Sequence, residues 1–214
     1  MSVIAPAILA DNPTAYKEQV GRITGFAERV HIDLTDGEFA PTFTVGIGDL
    51  WAPEGWTVDI HVMAHDLGEY VPKLVALKPH MIIIHAEARG DAAAALTLIK
   101  QAGVKAGVAL LRPTVPATVT PLIEAAEHVL IFSGELGRMG GTASLMQLEK
   151  IRLIKAINPN VEIGWDGGVM ADNAYSLVQG GVDVLNVGSA IQKAGDPQAA
   201  FAKLQQEIAK TGVI

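Results

Sequence analysis

The sequence contains no cysteine among its 214 residues. Disulfide bonds, thiolate nucleophiles and cysteine-ligated zinc are therefore excluded, although the absence of cysteine does not identify the cellular compartment. Charged residues are also scarce at 18%, whereas half of the residues are hydrophobic and the mean hydropathy is +0.31. This composition excludes a disordered chain and indicates a globular protein that buries a large core.

Basic residues and long apolar segments are few as well. Sixteen lysines and arginines against 23 aspartates and glutamates give a formal net charge of −7. This charge argues against nucleic acids and acidic membranes as partners, but it leaves room for a local phosphate pocket. No apolar run approaches the roughly 18 residues of a membrane span. The N-terminal residues lack the basic segment and apolar run of a signal peptide, so we expect a cytoplasmic protein.

Short apolar segments alternate with helical patterns along the chain. The predicted strands cover residues 3–9, 30–34, 58–63, 81–85, 105–111, 128–132, 161–165 and 184–187. The predicted helices cover residues 14–26, 70–77, 91–101, 117–126, 145–157 and 172–179, and a last helix opens at Asp196 and Pro197. This α/β alternation predicts a parallel sheet, and eight units in so short a chain favour a (β/α)8 TIM barrel. An open doubly wound sheet is less consistent, because no glycine-rich dinucleotide motif opens the first helix. We expect one barrel domain spanning residues 1–214.

A histidine and an aspartate share one face of the second predicted strand. Side chains of an extended strand alternate between its two faces, so His31 and Asp33 point the same way. Burying an imidazole and a carboxylate is costly. A hydrogen-bonded polar pair that closes a strand explains them as well as a functional pair does. The predicted barrel bears on this choice, because the active sites of TIM barrels lie at the C-terminal ends of the strands.

Further histidines and aspartates lie at these strand ends. His61 closely precedes Met63 at the end of the third strand, His85 ends the fourth, and Asp166 ends the seventh. Strands two and seven are three steps apart in a ring of eight. Asp33 and Asp166 can therefore approach a bound substrate from opposite sides.

Two histidines and two aspartates that converge on one mouth of the barrel form a candidate metal site. Imidazole and carboxylate groups suit Zn²⁺, Fe²⁺ or Mn²⁺, and rigid strands hold such ligands in place. A satisfied polar group in the upper barrel layer explains any one of them, but four together favour the metal site. Surface roles are expected for the histidines that fall in loops or at strand starts: His65, His80 and His128.

Glycines recur near the ends of the last three strands. They are Gly140 and Gly141, Gly167 and Gly168, and Gly188 followed by Ser189. Glycine lets backbone amides approach an anion closely, and a short helix starting at Ser189 would point its N-terminus at that anion. Any single pair is typical of a turn, but three pairs on one rim favour the phosphate site that barrels form after strands seven and eight.

Longer stretches resemble the ribulose-phosphate 3-epimerase family over nearly the whole chain. They are residues 4–6 (IAP), 8–9 (IL), 31–41 (HIDLTDGEFAP), 59–63 (DIHVM), 85–87 (HAE), 103–108 (GVKAGV), 166–169 (DGGV) and 187–191 (VGSAI). The resemblance implies a barrel of the ribulose-phosphate-binding type. It also implies the reversible interconversion of D-ribulose 5-phosphate and D-xylulose 5-phosphate.

The resemblance assigns roles to individual positions. The positions of His31, Asp33, His61 and Asp166 would bind one divalent metal ion, and the aspartates Asp33 and Asp166 would be the acid and the base. Apart from the resemblance, we expect Met63 and the glycine pairs described above to contact the phosphorylated sugar. The family forms homo-oligomers, so we expect one here.

The expected chemistry suits these residues. Epimerisation next to a ketone removes a proton from one face of the carbon and returns a proton to the other, so one carboxylate on each face is the simplest device. The intermediate is an enediolate, whose negative charge a metal ion would stabilise. A carboxylate in water is a weak base with a pKa of about 3.9, so the reaction needs a site that contains little water. We expect the loop 133–142 to be a lid that excludes water from the site.

The sequence departs from the family pattern at several positions. Ala7 stands where the family usually has serine, Thr35 and Phe132 stand where it has methionine, and Arg112 replaces an asparagine. The segment 134–142 is one residue longer than usual and carries two new charges. These departures concern the substrate rather than the reaction.

Three alternatives stay open, and these departures favour the first of them. The first is a 3-epimerase of another ketose phosphate, such as a ketohexose 6-phosphate. The second is a catalytically decayed barrel that binds a phosphorylated ligand or a protein. The third, a decarboxylase or aldolase barrel, is the least consistent, because such an enzyme would normally need a lysine in the carboxylate cluster. Neither the segment 33–37 nor the segment around Asp166 contains one.

Overall fold

The computed structural model describes residues 2–210, in which eight parallel strands close into a barrel in sequence order. The strands are β1 (Val3–Ile8), β2 (Arg29–Thr35), β3 (Thr57–Met63), β4 (Met81–His85), β5 (Lys105–Leu110), β6 (His128–Phe132), β7 (Glu162–Asp166) and β8 (Val184–Val187). The (β/α)8 fold predicted from the sequence is therefore confirmed. Met1 and residues 211–214, which the predicted single domain includes, lie outside the described residues.

Helices surround the barrel. They are α1 (Pro13–Ile23), α2 (Leu67–Val75), α3 (Ala92–Gln101), α4 (Thr120–Ala125), α5 (Glu149–Ile157), α6 (Ala174–Gln179), α7 (Ser189–Gln192) and α8 (Pro197–Ile208). Two 3₁₀ helices, Pro116–Val119 and Leu145–Leu148, occupy the predicted starts of α4 and α5. Within residues 2–210, no helix has both the length and the apolar character needed to cross a membrane.

Two helix boundaries differ from the prediction for local reasons. The helix α1 ends at Ile23 rather than at residue 26, because Thr24 has extended backbone angles. The helix α2 begins at Leu67 rather than at residue 70. Its N-cap is Asp66, whose side chain accepts a hydrogen bond from the backbone amide of Glu69.

The two-residue repeat of β2 separates an apolar outer face from a polar inner face. Val30, Ile32 and Leu34 belong to the hydrophobic clusters that the helices cover. His31 and Asp33 alternate with them and therefore point into the barrel. The same alternation on the other strands makes the barrel interior the place where inward polar residues meet.

An ion cluster lies in the barrel interior towards the N-terminal ends of the strands. Arg29 Nε donates to Asp59 Oδ2 at 2.6 Å, and the Nη1 and Nη2 atoms of Arg29 donate to Glu162 at 2.9 and 2.8 Å. His80 Nδ1 lies 2.7 Å from Asp59 Oδ1, and His128 Nδ1 lies 2.7 Å from Glu162 Oε2. Arg29 therefore joins β2 to the opposite wall of the barrel through two carboxylates.

The position of His128 corrects the expectation of a surface role. Its side chain is only 1% exposed, because it starts β6 on the inward face that it shares with Leu130. Gly164 on β7 makes room for the ring, since a Cβ atom at Gly164 would lie 2.3 Å from His128 Nε2. His65 and His80 are half-buried rather than exposed.

The ion cluster makes stability depend on pH. Burial alone would raise the pKa of Asp59, but the hydrogen bond from His80 and the charge of Arg29 lower it below its usual range. Burial also opposes ionisation of Glu162, yet its hydrogen bonds with Arg29 and His128 lower its pKa strongly. Both carboxyls thus have lower pKa values folded than unfolded. The stability that they contribute is present above about pH 4 and is lost as the pH falls further.

We predict that Asp59→Asn lowers the free energy of unfolding by about 2–4 kcal/mol at pH 7, because it leaves Arg29 and His80 short of a buried charge partner. Urea denaturation measures this change. The control is Glu69→Gln, which breaks an exposed ion pair with Lys73 and should change stability by less than about 1 kcal/mol. The difference between wild type and Asp59→Asn should shrink below about pH 4. A pH-independent difference would contradict the role of the Asp59 charge.

Candidate active site

Three strands bring the candidate ligands together at the C-terminal end of the barrel. His31 and Asp33 come from β2, His61 from β3, and Asp166 from β7. One possible ligand atom of each residue lies within 4.8 Å of those of the others. His31 and His61 are fully buried. The structure therefore unites the four residues that the sequence singled out.

Two ring nitrogens face the two carboxylates. His61 Nδ1 lies 2.9 Å from Asp33 Oδ1 and 3.6 Å from Asp166 Oδ2. His31 Nε2 lies 3.3 Å from Asp33 Oδ1 and 3.7 Å from Asp166 Oδ2. Neither ring nitrogen of His31 has a hydrogen-bond partner among the described residues, although both are buried. Four electron-pair donors thus converge on one point with one imidazole unsatisfied.

Glu87, for which the sequence predicted no role, supports this site from behind. His61 Nε2 lies 2.9 Å from His85 Nε2, and His85 Nδ1 lies 3.2 Å from Glu87 Oε2. The other oxygen of Glu87 accepts hydrogen bonds from the backbone amide of Leu111, at 2.9 Å, and from the Thr114 hydroxyl. The signal for Glu87 was its spacing of two residues from His85 at the end of β4.

The hydrogen atoms available to these contacts are too few when both imidazoles are neutral. Burial lowers the pKa of His61 to about 4, and burial also lowers the pKa of His85. Two neutral imidazoles carry two N–H groups, but three contacts need a hydrogen: Asp33 with His61, His61 with His85, and His85 with Glu87. A cation bound at His61 Nδ1 would replace the missing hydrogen. His61 could then donate through Nε2 and His85 through Nδ1.

The two carboxyls titrate in opposite directions. Burial opposes ionisation of Asp33, but the nearby charge of His31 and the hydrogen bond with His61 lower the pKa of Asp33. Burial and the negative charge of Asp33 raise the pKa of Asp166 to about 7. Burial would lower the pKa of His31, yet the charge of Asp33 raises it overall. The buried carboxyls therefore make this site attractive to a positive charge.

The donor set fits one divalent metal ion. Two imidazole nitrogens and two carboxylate oxygens suit Zn²⁺, Fe²⁺ or Mn²⁺. The unpaired nitrogens of His31 and the missing hydrogen at His61 Nδ1 both favour such an ion. His85, which lies behind His61, would fix the tautomer of His61, as outer hydrogen-bond partners of metal-bound histidines do.

A cavity opens above these residues, and most of the predicted substrate contacts line it. The predicted contacts in its wall are Met63, Gly140, Gly167, Gly168, Gly188 and Ser189. Gly141 lies outside this lining. Two of the glycines allow close backbone packing, since a Cβ atom at Gly167 would lie 2.0 Å from the Gly134 nitrogen and one at Gly168 2.1 Å from the Ala143 nitrogen.

The loop after β6 lies over the cavity, where the sequence analysis placed the lid. Glu135, Arg138 and Met139 from this loop line the cavity. The Thr42 hydroxyl donates to the carbonyl of Gly137 at 3.0 Å, so the loop also contacts the connection after β2. Side chains of both charge signs therefore border the entrance.

The residues that depart from the family pattern fall in two groups. Ala7 and Phe132 line the cavity. Thr35 and Arg112 do not: the Thr35 hydroxyl donates to the Thr42 carbonyl at 2.6 Å, and Arg112 Nε donates to the Ser133 carbonyl at 2.9 Å. The latter two residues hold backbone segments near the entrance rather than forming the cavity wall.

Comparisons with known proteins point to one family over almost the full length of this chain. A model of the ribulose-phosphate 3-epimerase family matches residues 3–192. The ribulose-phosphate 3-epimerase of Aquifex aeolicus is 32% identical over 213 residues, which cover 96% of each chain. That of Helicobacter pylori is 31% identical, with 94% of this chain and 96% of the relative covered. The solved structure of 3-hexulose-6-phosphate synthase from Salmonella typhimurium has a TM-score of 0.74 at 18% identity, covers 97% and 98% of the two chains, and supports the fold alone.

We predict that Glu87→Gln weakens Zn²⁺ binding by about 10- to 100-fold, because the amide of glutamine can donate to His85 and no longer fixes its tautomer. Competition against a chromophoric chelator measures the affinity without requiring turnover. The control is Glu124→Gln, an exposed position on α4, which should leave the affinity unchanged. Equal affinities of wild type and Glu87→Gln would contradict this role.

Proposed function

The chain belongs to the ribulose-phosphate 3-epimerase family of isomerases, and from this premise we propose that it interconverts D-ribulose 5-phosphate and D-xylulose 5-phosphate. The observation that carries the proposal is the pair Asp33 and Asp166, which come from strands three steps apart around the barrel and line one cavity. Both carboxyls are shielded from solvent, with side-chain exposures of 9% and 14%. Asp166 is the stronger base of the two, because burial and the charge of Asp33 raise its pKa to about 7.

The two aspartates would act on opposite faces of the reacting carbon. One carboxylate removes the proton at C3 of the ketose, and the electron pair moves to the C2 carbonyl oxygen to form an enediolate. The other carboxyl, in its protonated form, returns a proton to the opposite face of C3 and inverts its configuration. In the reverse reaction the two groups exchange roles. Each turnover moves the net proton from Asp166 to Asp33 or back, so exchange with solvent resets the pair.

His31, Asp33, His61 and Asp166 would hold one divalent metal ion, with Zn²⁺, Fe²⁺ and Mn²⁺ as candidates. Such an ion supplies a positive charge that stabilises negative charge on substrate oxygens. The residues behind the site have a separate role, since Glu87 orients His85 and His85 orients His61. They would keep the inward nitrogen of His61 free of hydrogen.

The phosphate would lie on the glycine rim above β7 and β8. Gly167, Gly168 and Gly188 carry no side chains that would keep an anion away from the backbone amides. Ser189 begins α7 and adds a hydroxyl at the same place. Loops after the last two strands are the usual phosphate site of TIM barrels.

A 3-epimerase of a different ketose phosphate is the second candidate. Ala7 offers only a methyl group to the cavity, and Glu135 and Arg138 add charges at its entrance. These features would act on the part of the sugar remote from C3. The lysine of a decarboxylase or aldolase is not found among the described residues that line the cavity. The cytoplasmic location and the homo-oligomeric state stay predictions.

We predict that the metal-loaded protein transfers deuterium from D₂O to C3 of D-ribulose 5-phosphate and forms D-xylulose 5-phosphate, as followed by NMR. Asp166→Asn should lower kcat at least about 100-fold, because the amide cannot transfer the proton on its face. Asp49→Asn, at an exposed position, is the control and should retain full activity.

Three other results would change this interpretation of the site. Exchange at C3 without formation of the epimer would mean that one of the two carboxyls is inactive. Activity on a ketohexose 6-phosphate with none on the pentulose would favour the second candidate. Unchanged turnover by Asp166→Asn would overturn the two-carboxylate mechanism.

A further inference from the structure

The proposed chemistry leaves one buried polar side chain of the cavity unused. Asn186 on β8 is 2% exposed, and it lines the cavity together with Asp166 and Ser189. Its neighbours in sequence, Leu185 and Val187, belong to the outer hydrophobic core. Asn186 therefore points inward, into the space where the substrate would bind.

Neither polar atom of the Asn186 side chain has a partner among the described residues. Both Nδ2 and Oδ1 are buried without a hydrogen bond. The half-buried Asn158 behaves differently, because its Nδ2 donates to the carbonyls of Ile123 and Ala126, each at 3.1 Å. Burying an unpaired donor and an unpaired acceptor destabilises the folded state, so such a group calls for a ligand.

The position of Asn186 along the strand limits which part of the ligand it meets. Asn186 is the register partner of Asp166 on β7, so it lies at the height of the proton-transferring carboxyl. Gly188 and Ser189, which would hold the phosphate, follow two and three residues later on the same strand end. Asn186 thus lies between the group that acts on C3 and the group that binds the phosphate on C5. The carbon between those two is C4.

We propose that Asn186 is a specificity-determining residue whose amide binds the C4 hydroxyl of the ketose phosphate. A hydroxyl both donates and accepts, and it matches the unpaired Oδ1 and Nδ2 of the amide. This inference rests on the proposed function and identifies the hydroxyl that the site recognises. It also explains why a polar amide is present where valine or leucine would pack without unpaired atoms.

The test compares two substrates in wild type and Asn186→Val. Wild type should lose about 10- to 100-fold in kcat/KM when D-ribulose 5-phosphate is replaced by its 4-deoxy analogue, because the amide then stays unpaired. Asn186→Val should lose a similar factor on D-ribulose 5-phosphate and nothing further on the 4-deoxy analogue. If Asn186→Val instead loses a further factor on the 4-deoxy analogue, so that the effects of the substitution and of the missing hydroxyl multiply, the pairing of Asn186 with the C4 hydroxyl is overturned.

Thermal unfolding separates this role from a structural one. Asn186→Val should keep or raise the Tm, since it removes two unpaired buried atoms. The matched control Asn158→Val removes two hydrogen bonds outside the cavity, so it should lower the Tm and leave kcat/KM unchanged. A fall in Tm for Asn186→Val with unchanged kinetics would overturn the proposal.

A binding experiment distinguishes failure of this inference from failure of the proposed function. The side-chain amide signals of Asn186 can be assigned in a ¹⁵N-correlated NMR spectrum by their loss in Asn186→Val. D-Ribulose 5-phosphate should shift these signals more than its 4-deoxy analogue does. A shift without turnover would refute the epimerase function and support the contact, whereas turnover without a shift would refute the contact alone.

Discussion

Closure of the eight strands into a ring imposes one constraint on the whole molecule: alternate residues of every strand must face a narrow common interior. On β2 this constraint turns His31 and Asp33 inward while Val30, Ile32 and Leu34 support the helices outside. The strand β2 cannot shift by one residue, because its apolar residues would then enter the polar interior, and His31 and Asp33 would enter the core. The ring thus holds the candidate site rigidly.

The polar groups at the two ends of the interior differ in how their charge is balanced. Towards the N-terminal ends, Arg29 supplies a permanent positive charge to Asp59 and Glu162. At the opposite end, the ion pairs that the described residues form with Asp33 and Asp166 come from the imidazoles of His31 and His61. Buried carboxylates without a permanent cation are costly, so this end suits an exchangeable positive charge, such as a proton or the proposed metal ion. One end of the interior therefore stabilises the fold, and the other end is available for chemistry.

The sequence predicted the strands better than the polar network between them. Residues 81–85, 128–132 and 184–187 match the strands at both ends, because continuous apolar runs mark strands that are covered on both faces. The four candidate metal ligands were predicted from the family resemblance, in agreement with the rule that β/α barrels place functional groups at strand ends. His128 was assigned to the surface because its inward direction depends on the register of β6. Glu87 and Asn186 were passed over because hydrogen-bond pairing, or its absence, is a property of three-dimensional positions.

The space left by Gly164 has a consequence for how this sequence can diverge. A Cβ atom there would meet both the ring of His128 and the side chain of Leu130, and one at Gly107 would lie 2.8 Å from Ile83 Cγ1. Large side chains on β4 and β6 are thus accommodated by glycines on β5 and β7. Residues at these facing positions share one fixed volume, so substitutions among homologues should covary, with a gain on one strand matched by a loss on its neighbour.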